Sequence, residues 1–197
     1  MTAVIALHGY GQTIPQGFRP WEPVVRDRTK IVYETAKFFN KYGIETEVII
    51  SGGTVTNGVL EVDAMCEKMN QDFPDLYNIV DVILEKESRN TKENVIETFK
   101  YARKIGAEIL CPSSSKDHIS RVARDWAYEK KEGDPMLAFV PSQEPYSIRG
   151  APPIIAESPF WGYDLLSDVF KIQNKDEKIN RENFKKDFLA LLKEYVQ

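Results

Sequence analysis

The sequence predicts an α/β protein with a mainly parallel sheet and helices packed on both of its faces. Five short apolar runs rich in β-branched residues recur along the chain, and stretches with helical periodicity lie between them. The runs are continuously apolar rather than alternating, which is typical of strands buried on both faces. The predicted strands are residues 3–7, 47–50, 79–84, 107–110 and 136–140.

The helices are predicted from apolar stripes at a spacing of three or four residues. The first spans residues 25–42 and is ended by Gly43, and the second spans residues 61–69. The third is ended by Gly106, and the fourth follows His118. Because right-handed crossovers dominate βαβ units, the carboxyl ends of all five strands should meet at one edge of the sheet.

The last third of the chain has a different composition. Residues 141–159 contain five prolines, which excludes a long helix there. Residues 180–196 carry an apolar face at helical spacing and are predicted to form a terminal helix. A chain of 197 residues with 42% hydrophobic content fits a single α/β domain over residues 1–197, in which both segments pack on a core of about residues 3–140.

Composition and charge exclude several classes of protein. The formal net charge of −4 excludes a general attraction to nucleic acid, so an anion site must come from a local cluster. We find no secretory signal pattern and no apolar run near the ~20 residues that cross a bilayer. Two isolated cysteines and two histidines, without CxxC or HExxH, argue against a disulfide framework and a zinc site. We therefore expect a cytoplasmic protein without a membrane anchor, and nothing specifies an oligomeric state.

Two glycine-containing turns follow the first two strands. Gly9 and Gly11 come after the first, where glycine lets a ligand approach the backbone, although an ordinary turn would also explain them. Ser51, Gly52 and Gly53 come after the second, and the backbone N–H groups of such a loop can bind an anion. The chain has neither a GxSxG nucleophile motif nor a complete dinucleotide-binding fingerprint.

Glu61 lies one helical turn before Met65, at the sheet-facing end of an apolar stripe. A carboxylate at that place is either a buried cap or a functional acid or base. Because an unpaired buried carboxylate is costly, the position favours function. Arg28 lies early in the first helix, where it can point back to the turn around Gly9.

The densest polar cluster spans residues 85–94, directly after the third strand. Asn90 and Glu93 have the spacing of a capping box, and capping alone explains both. Capping does not explain the presence of Glu85, Ser88, Thr91 and Asn94 in the same ten residues. Such a density of polar side chains just past a buried strand predicts a hydrogen-bonded network that shapes a pocket, at the edge where α/β folds bind ligands.

A second cluster, Ser115, His118 and Arg121, follows the fourth strand. Ser115 is a predicted helix cap, which would place His118 and Arg121 on one face of the first turns. The positive end of a helix favours a neutral imidazole suited to general-base work, and an arginine there can bind an anion. An ordinary cap with a surface arginine is the alternative.

Taken in order, these motifs resemble the YdcF-like family, which includes the SanA and ElyC envelope proteins. The family pattern is a glycine turn, an arginine in the next helix, Ser-Gly-Gly, Glu-x-x-x-Met, Glu-x-x-Ser-x-Asn-Thr-x-Glu-Asn and Ser-x-x-His-x-x-Arg. The match covers about residues 3–140 and departs at Val62 and Val122, where the family usually has alanine. The resemblance implies a three-layer α/β/α Rossmann-like domain with a site of Glu, Asn, His and Arg, and it supplies no reaction.

These residues predict an enzyme that binds a small anionic ligand, phosphate-bearing or nucleotide-like, for hydrolysis or group transfer. Arg121, the 51–53 loop and the helix end at His118 would hold the anion, while His118 with Glu61 or Glu93 would transfer protons. The absence of a recognisable nucleophile favours an alternative, a non-catalytic sensor of a nucleoside-type ligand such as S-adenosylmethionine. A third alternative, a protein-interaction module, would need an apolar patch near residues 152–161.

Overall fold

The structure is a computed structural model that describes residues 1–10, 20–115 and 118–142, with the backbone alone at positions 120, 121 and 124. The predictions for Gly11, for the proline-rich segment after Ser142 and for the terminal helix lie outside these residues. The described strands are β1 (Thr2–His8), β2 (Glu45–Ser51), β3 (Val55–Thr56), β4 (Val59–Leu60), β5 (Asp81–Glu85), β6 (Ile109–Ser115), β7 (Met136–Leu137) and β8 (Val140–Ser142). The described helices are α1 (Trp21–Lys41), α2 (Glu61–Asp72), α3 (Thr91–Ile105) and α4 (Ile119–Glu129), with a short 3-10 helix at Pro74–Asn78.

The central sheet has the order β5-β2-β1-β6-β7, and β8 pairs with the far end of β6. All of its pairings are parallel. His8 is in register with Ser51, Ser51 with Glu85, and Ser115 with Ser142, so the carboxyl ends of the strands share one edge. The chain order reverses between β1 and β6, which makes this part of the edge the topological switch point where such sheets bind ligands.

Helices cover both faces of the sheet. Alternate residues of β1 point to opposite faces, so Ile5 and Leu7 pack with α1 and α2, while Val4 and Ala6 pack with α3 and α4. The two buried clusters form the two halves of the core. The predicted three-layer α/β/α architecture is confirmed.

The structure corrects several predicted boundaries. β6 extends to Ser115, because parallel pairing with β8 continues the strand through three serines that lack an apolar pattern. The predicted fifth strand is divided into β7 and β8. Strands β3 and β4 form a hairpin that we did not predict, although Asn57 and Gly58 carry the positive φ angles typical of its turn. Among the described helices, none combines the length and apolar composition needed to cross a bilayer.

Candidate functional site

A cavity of about 210 Å³ opens at the carboxyl edge of the sheet, beside the switch point. It brings together nine predicted site residues, namely Gly9, Arg28, Gly52, Glu61, Ser88, Asn90, Thr91, Asn94 and His118. Three further lining residues, Tyr10, Thr54 and Arg89, were not predicted. Each of these three is adjacent in sequence to a predicted residue or to the 51–53 loop, and adjacency was the signal that could have identified them.

Glu61 is the most unusual group in the cavity. It is the first residue of α2, and its side chain is buried among glycines. A Cβ atom added to Gly52 would lie 2.5 Å from Glu61 Oε2, and a Cβ atom added to Gly9 would lie closer still. Burial raises the pKa of Glu61 to about 7, although the nearby Arg28 charge opposes the shift. A carboxyl group with this pKa can both accept and release a proton near neutral pH.

The two glycine turns should respond differently to the same substitution. We expect Gly9→Ala to reduce stability little, because the added methyl group meets the movable end of the Glu61 side chain, and yet to displace that carboxyl from its position. A Cβ atom on Gly53 would instead overlap the backbone carbonyl of Lys86, so Gly53→Ala should lower the melting temperature by several degrees. Thermal unfolding of both variants checks this. Equal melting temperatures would contradict it.

Arg28 lies beneath the cavity and is almost completely buried. Its Nη1 donates to the carbonyl oxygens of His8 and Gly9 at 3.2 and 3.1 Å, and its Nε donates to Ser115 Oγ at 2.9 Å. The guanidinium carbon also lies 4.9 Å from the centre of the Tyr10 ring. Arg28 therefore joins the ends of β1 and β6 across the switch point and places a positive charge below the site.

The Ser115 contact corrects a prediction. Ser115 is the last residue of β6 and does not cap α4; its hydroxyl accepts the Arg28 hydrogen bond. The N-cap position is occupied by His118, whose Nδ1 lies 2.9 Å from Ser114 Oγ. Ser114 is fully buried and does not line the cavity, so this contact orients the imidazole rather than presenting a nucleophile. The Arg121 side chain lies outside the described part of the chain.

The N-terminus of α3 forms one wall. Asn90 caps the helix by accepting from the Glu93 backbone N–H at 3.0 Å. The Glu93 carboxylate accepts from the backbone N–H of Arg89 and from Asn90 Nδ2, both at 2.7 Å. These contacts form the predicted capping box. Glu93 is exposed and does not line the cavity, so the structure gives it a capping role and does not bring it to the position of a proton carrier.

The loop after β2 is held by Glu85. Ser51 Oγ donates to Glu85 Oε2 at 2.5 Å, and the other carboxylate oxygen accepts from the backbone N–H groups of Glu87 and Ser88. Burial acts to raise the pKa of Glu85, but these hydrogen bonds outweigh it and hold the pKa below its ordinary value. Neither Ser51 nor Gly53 lines the cavity. Both support the loop that presents Gly52.

His8 is a buried titratable group that sequence analysis did not select. Trp126 Nε1 donates to His8 Nε2 at 2.9 Å, so the neutral ring carries its proton on Nδ1. Burial, assisted by the Arg28 charge, lowers the pKa of His8 to about 3. The ring does not line the cavity, and among the described residues its Nδ1 has no hydrogen-bond partner. Its position at the end of an apolar strand was the only available signal.

The described side chains that line the cavity are chemically mixed and do not form a cluster of metal ligands. Within the described ranges, no group of three or more histidine, cysteine, aspartate or glutamate side chains is placed to hold a metal ion. The cavity instead combines the N-termini of α2, α3 and α4, the Arg28 guanidinium and the Glu61 carboxyl. No family model matches this chain, and no curated protein matches it either.

Proposed function

We propose that the protein is an enzyme that binds a small phosphate-bearing ligand at this cavity and hydrolyses it or transfers its phosphoryl group. One observation carries the proposal: a buried carboxyl with a pKa of about 7 faces the same cavity as a buried arginine. A carboxylate that served only the stability of the fold would be expected to accept a hydrogen bond at this buried position. Enzymes raise glutamate pKa values to this range for general acid–base work.

The positive side of the cavity suits an anion. Arg28 lies beneath it and Arg89 lines it, while Asn90 and His118 stand at the N-termini of α3 and α4. Backbone N–H groups at helix N-termini bind phosphate groups readily. Since Glu61 is about half protonated near pH 7, it opposes an approaching anion less than an ordinary carboxylate would.

In the hydrolytic form of the reaction, Glu61 acts as a general base. It takes a proton from a water molecule as the water oxygen forms a bond to phosphorus. The bond between phosphorus and the ester oxygen breaks, and the departing oxygen takes up a proton from solvent. This assignment needs no nucleophilic side chain, which agrees with the absence of a GxSxG nucleophile motif from the sequence.

That same absence favours the second candidate, a non-catalytic sensor of a nucleoside-type ligand such as S-adenosylmethionine. The sensor and the enzyme share the binding site and differ in turnover. The cytoplasmic location predicted from the sequence remains part of either proposal.

The test is phosphate release from a panel that includes p-nitrophenyl phosphate, glycerol 3-phosphate and nucleoside monophosphates. We expect kcat/KM to rise with pH through about 7, the pKa of Glu61, because the base acts when ionised. Glu61→Gln should reduce kcat by roughly 10²-fold or more, with little change in KM. Glu67→Gln, the same change at an exposed position of α2, is the control and should behave as wild type.

Two results would contradict the enzyme assignment. Binding of panel members without turnover would favour the sensor. Failure of the wild-type protein to bind any phosphate compound would remove the anion site itself.

A further inference from the structure

The side-chain amide of Asn94 has an oxygen atom that forms no hydrogen bond with the rest of the described chain. Asn94 lies one turn inside α3, is 7% exposed and lines the cavity. Its Oδ1 atom is buried, and among the described residues it has no hydrogen-bond partner. An unpaired buried amide oxygen is unfavourable in the ligand-free protein, so a bound group that supplies the hydrogen bond would relieve that cost.

The side chains around Asn94 indicate which kind of ligand group could supply this hydrogen bond. The described lining of the cavity contains no Val, Leu, Ile, Met or Phe. Its aromatic members are Tyr10, whose ring already contacts the Arg28 guanidinium, and His118. Binding sites for flat or apolar groups are lined mostly by hydrophobic and aromatic side chains, whereas most of the described side chains in this lining are polar.

From these contacts we propose that the site takes a compact phosphorylated polyol, such as a sugar phosphate, and that Asn94 hydrogen-bonds one of its hydroxyl groups. A hydroxyl suits an amide because it can donate to Oδ1 and accept from Nδ2. The phosphate lies toward Arg28 and the N-terminus of α4, and the hydroxyl lies toward Asn94. The inference rests on the proposed function for the anion and adds the chemistry of the remainder of the ligand.

The experiment compares ligands that differ only in hydroxyl groups. Dissociation constants are measured by titration calorimetry for glycerol 3-phosphate against propyl phosphate, and for ribose 5-phosphate against pentyl phosphate. In at least one pair the wild-type protein should bind the hydroxylated member at least tenfold more tightly than the alkyl phosphate. The alkyl phosphate leaves a buried polar group of the protein without a hydrogen bond, which weakens its binding.

Asn94→Leu tests the residue itself. Leucine has a similar size and no polar atoms, so the variant should keep or raise the wild-type melting temperature, which shows that it is folded. The variant should lose the preference for the hydroxylated ligand. Its affinity for that ligand should fall tenfold or more, while its affinity for the alkyl phosphate should stay within about twofold of wild type. Asn70→Leu, at an exposed position of α2 well away from the cavity, should bind as wild type.

The outcomes separate this inference from the proposed function. If wild type binds both members of each pair equally, the anion site stands and the polyol assignment is wrong. If Asn94→Leu retains the full preference, another residue recognises the hydroxyl and the role of Asn94 is wrong. If wild type binds none of the four compounds, both the polyol assignment and the anion site are overturned.

Discussion

Glu61→Gln should make the protein more stable at pH 8 while it removes activity. The pKa of Glu61 is raised from its ordinary value of 4.5 to about 7 by burial, so the folded protein holds a proton that the unfolded chain has released. Stability associated with this group is therefore present below pH 4.5 and is lost as pH rises through 7. Glutamine is never ionised and avoids that loss. At about 1.4 kcal/mol per pKa unit, the variant should gain roughly 3 kcal/mol at pH 8.

The measurement is urea unfolding of both proteins between pH 4.5 and 8. The difference in free energy of unfolding should be near zero at the acid end and grow through the interval. Glu67→Gln on the same helix should show no such growth. A constant difference across pH, or a variant less stable than wild type at pH 8, would mean that Glu61 is not held in its protonated form.

Arg28→Met should have the largest destabilising effect. The substitution removes three donated hydrogen bonds at once and leaves the carbonyl oxygens of His8 and Gly9 and the hydroxyl of Ser115 without that donor. Losing a buried charged donor that holds two strand ends together should cost about 3–5 kcal/mol. Arg28→Lys keeps the charge and loses the planar fork, so its cost should be intermediate.

Arg26→Met is the matched control for this loss. Arg26 lies on the same helix, its side chain is 71% exposed, and its contact with Asp72 is 4.0 Å long. The Arg26 contact is too long for a hydrogen bond, and Asp72 keeps its 3.0 Å ion pair with Lys68, so the control should remain within about 0.5 kcal/mol of wild type. Similar losses in the two variants, measured by urea unfolding, would show that Arg28 does not join β1 to β6.

The predictable parts of the structure are those encoded locally. Continuous apolar runs identify the parallel strands, and the carboxyl edge follows from the alternation of strands and helices. Asn90 and Glu93 form their capping box within four residues of chain. Eight of the nine predicted residues meet in one cavity because each follows a strand or lies in the first turn of a helix at that edge, and Arg28 reaches the same edge from two turns inside α1.

The unpredicted parts depend on contacts between distant segments. Ser115 has the sequence of a helix cap, but β8 and Arg28 hold it in a strand. Trp126 meets His8 across 118 positions of the chain, so no local pattern reveals the pair. The raised pKa of Glu61 likewise depends on two glycine turns, more than 40 residues apart, that close around one carboxyl.

Burial disfavours the charged forms of both His8 and Glu61, and the two groups exchange protons with solvent in opposite directions when the chain unfolds. Because the pKa of His8 rises from about 3 to its ordinary 6.5 on unfolding, the unfolded chain takes up a proton there between those values. Glu61 releases one between pH 4.5 and 7. Where the ranges overlap, from 4.5 to 6.5, uptake and release cancel. The proton taken up at a histidine buried beside Trp126 is thus balanced by one lost from the carboxyl of the cavity, so the contribution of this pair to the free energy of unfolding does not change with pH in that range.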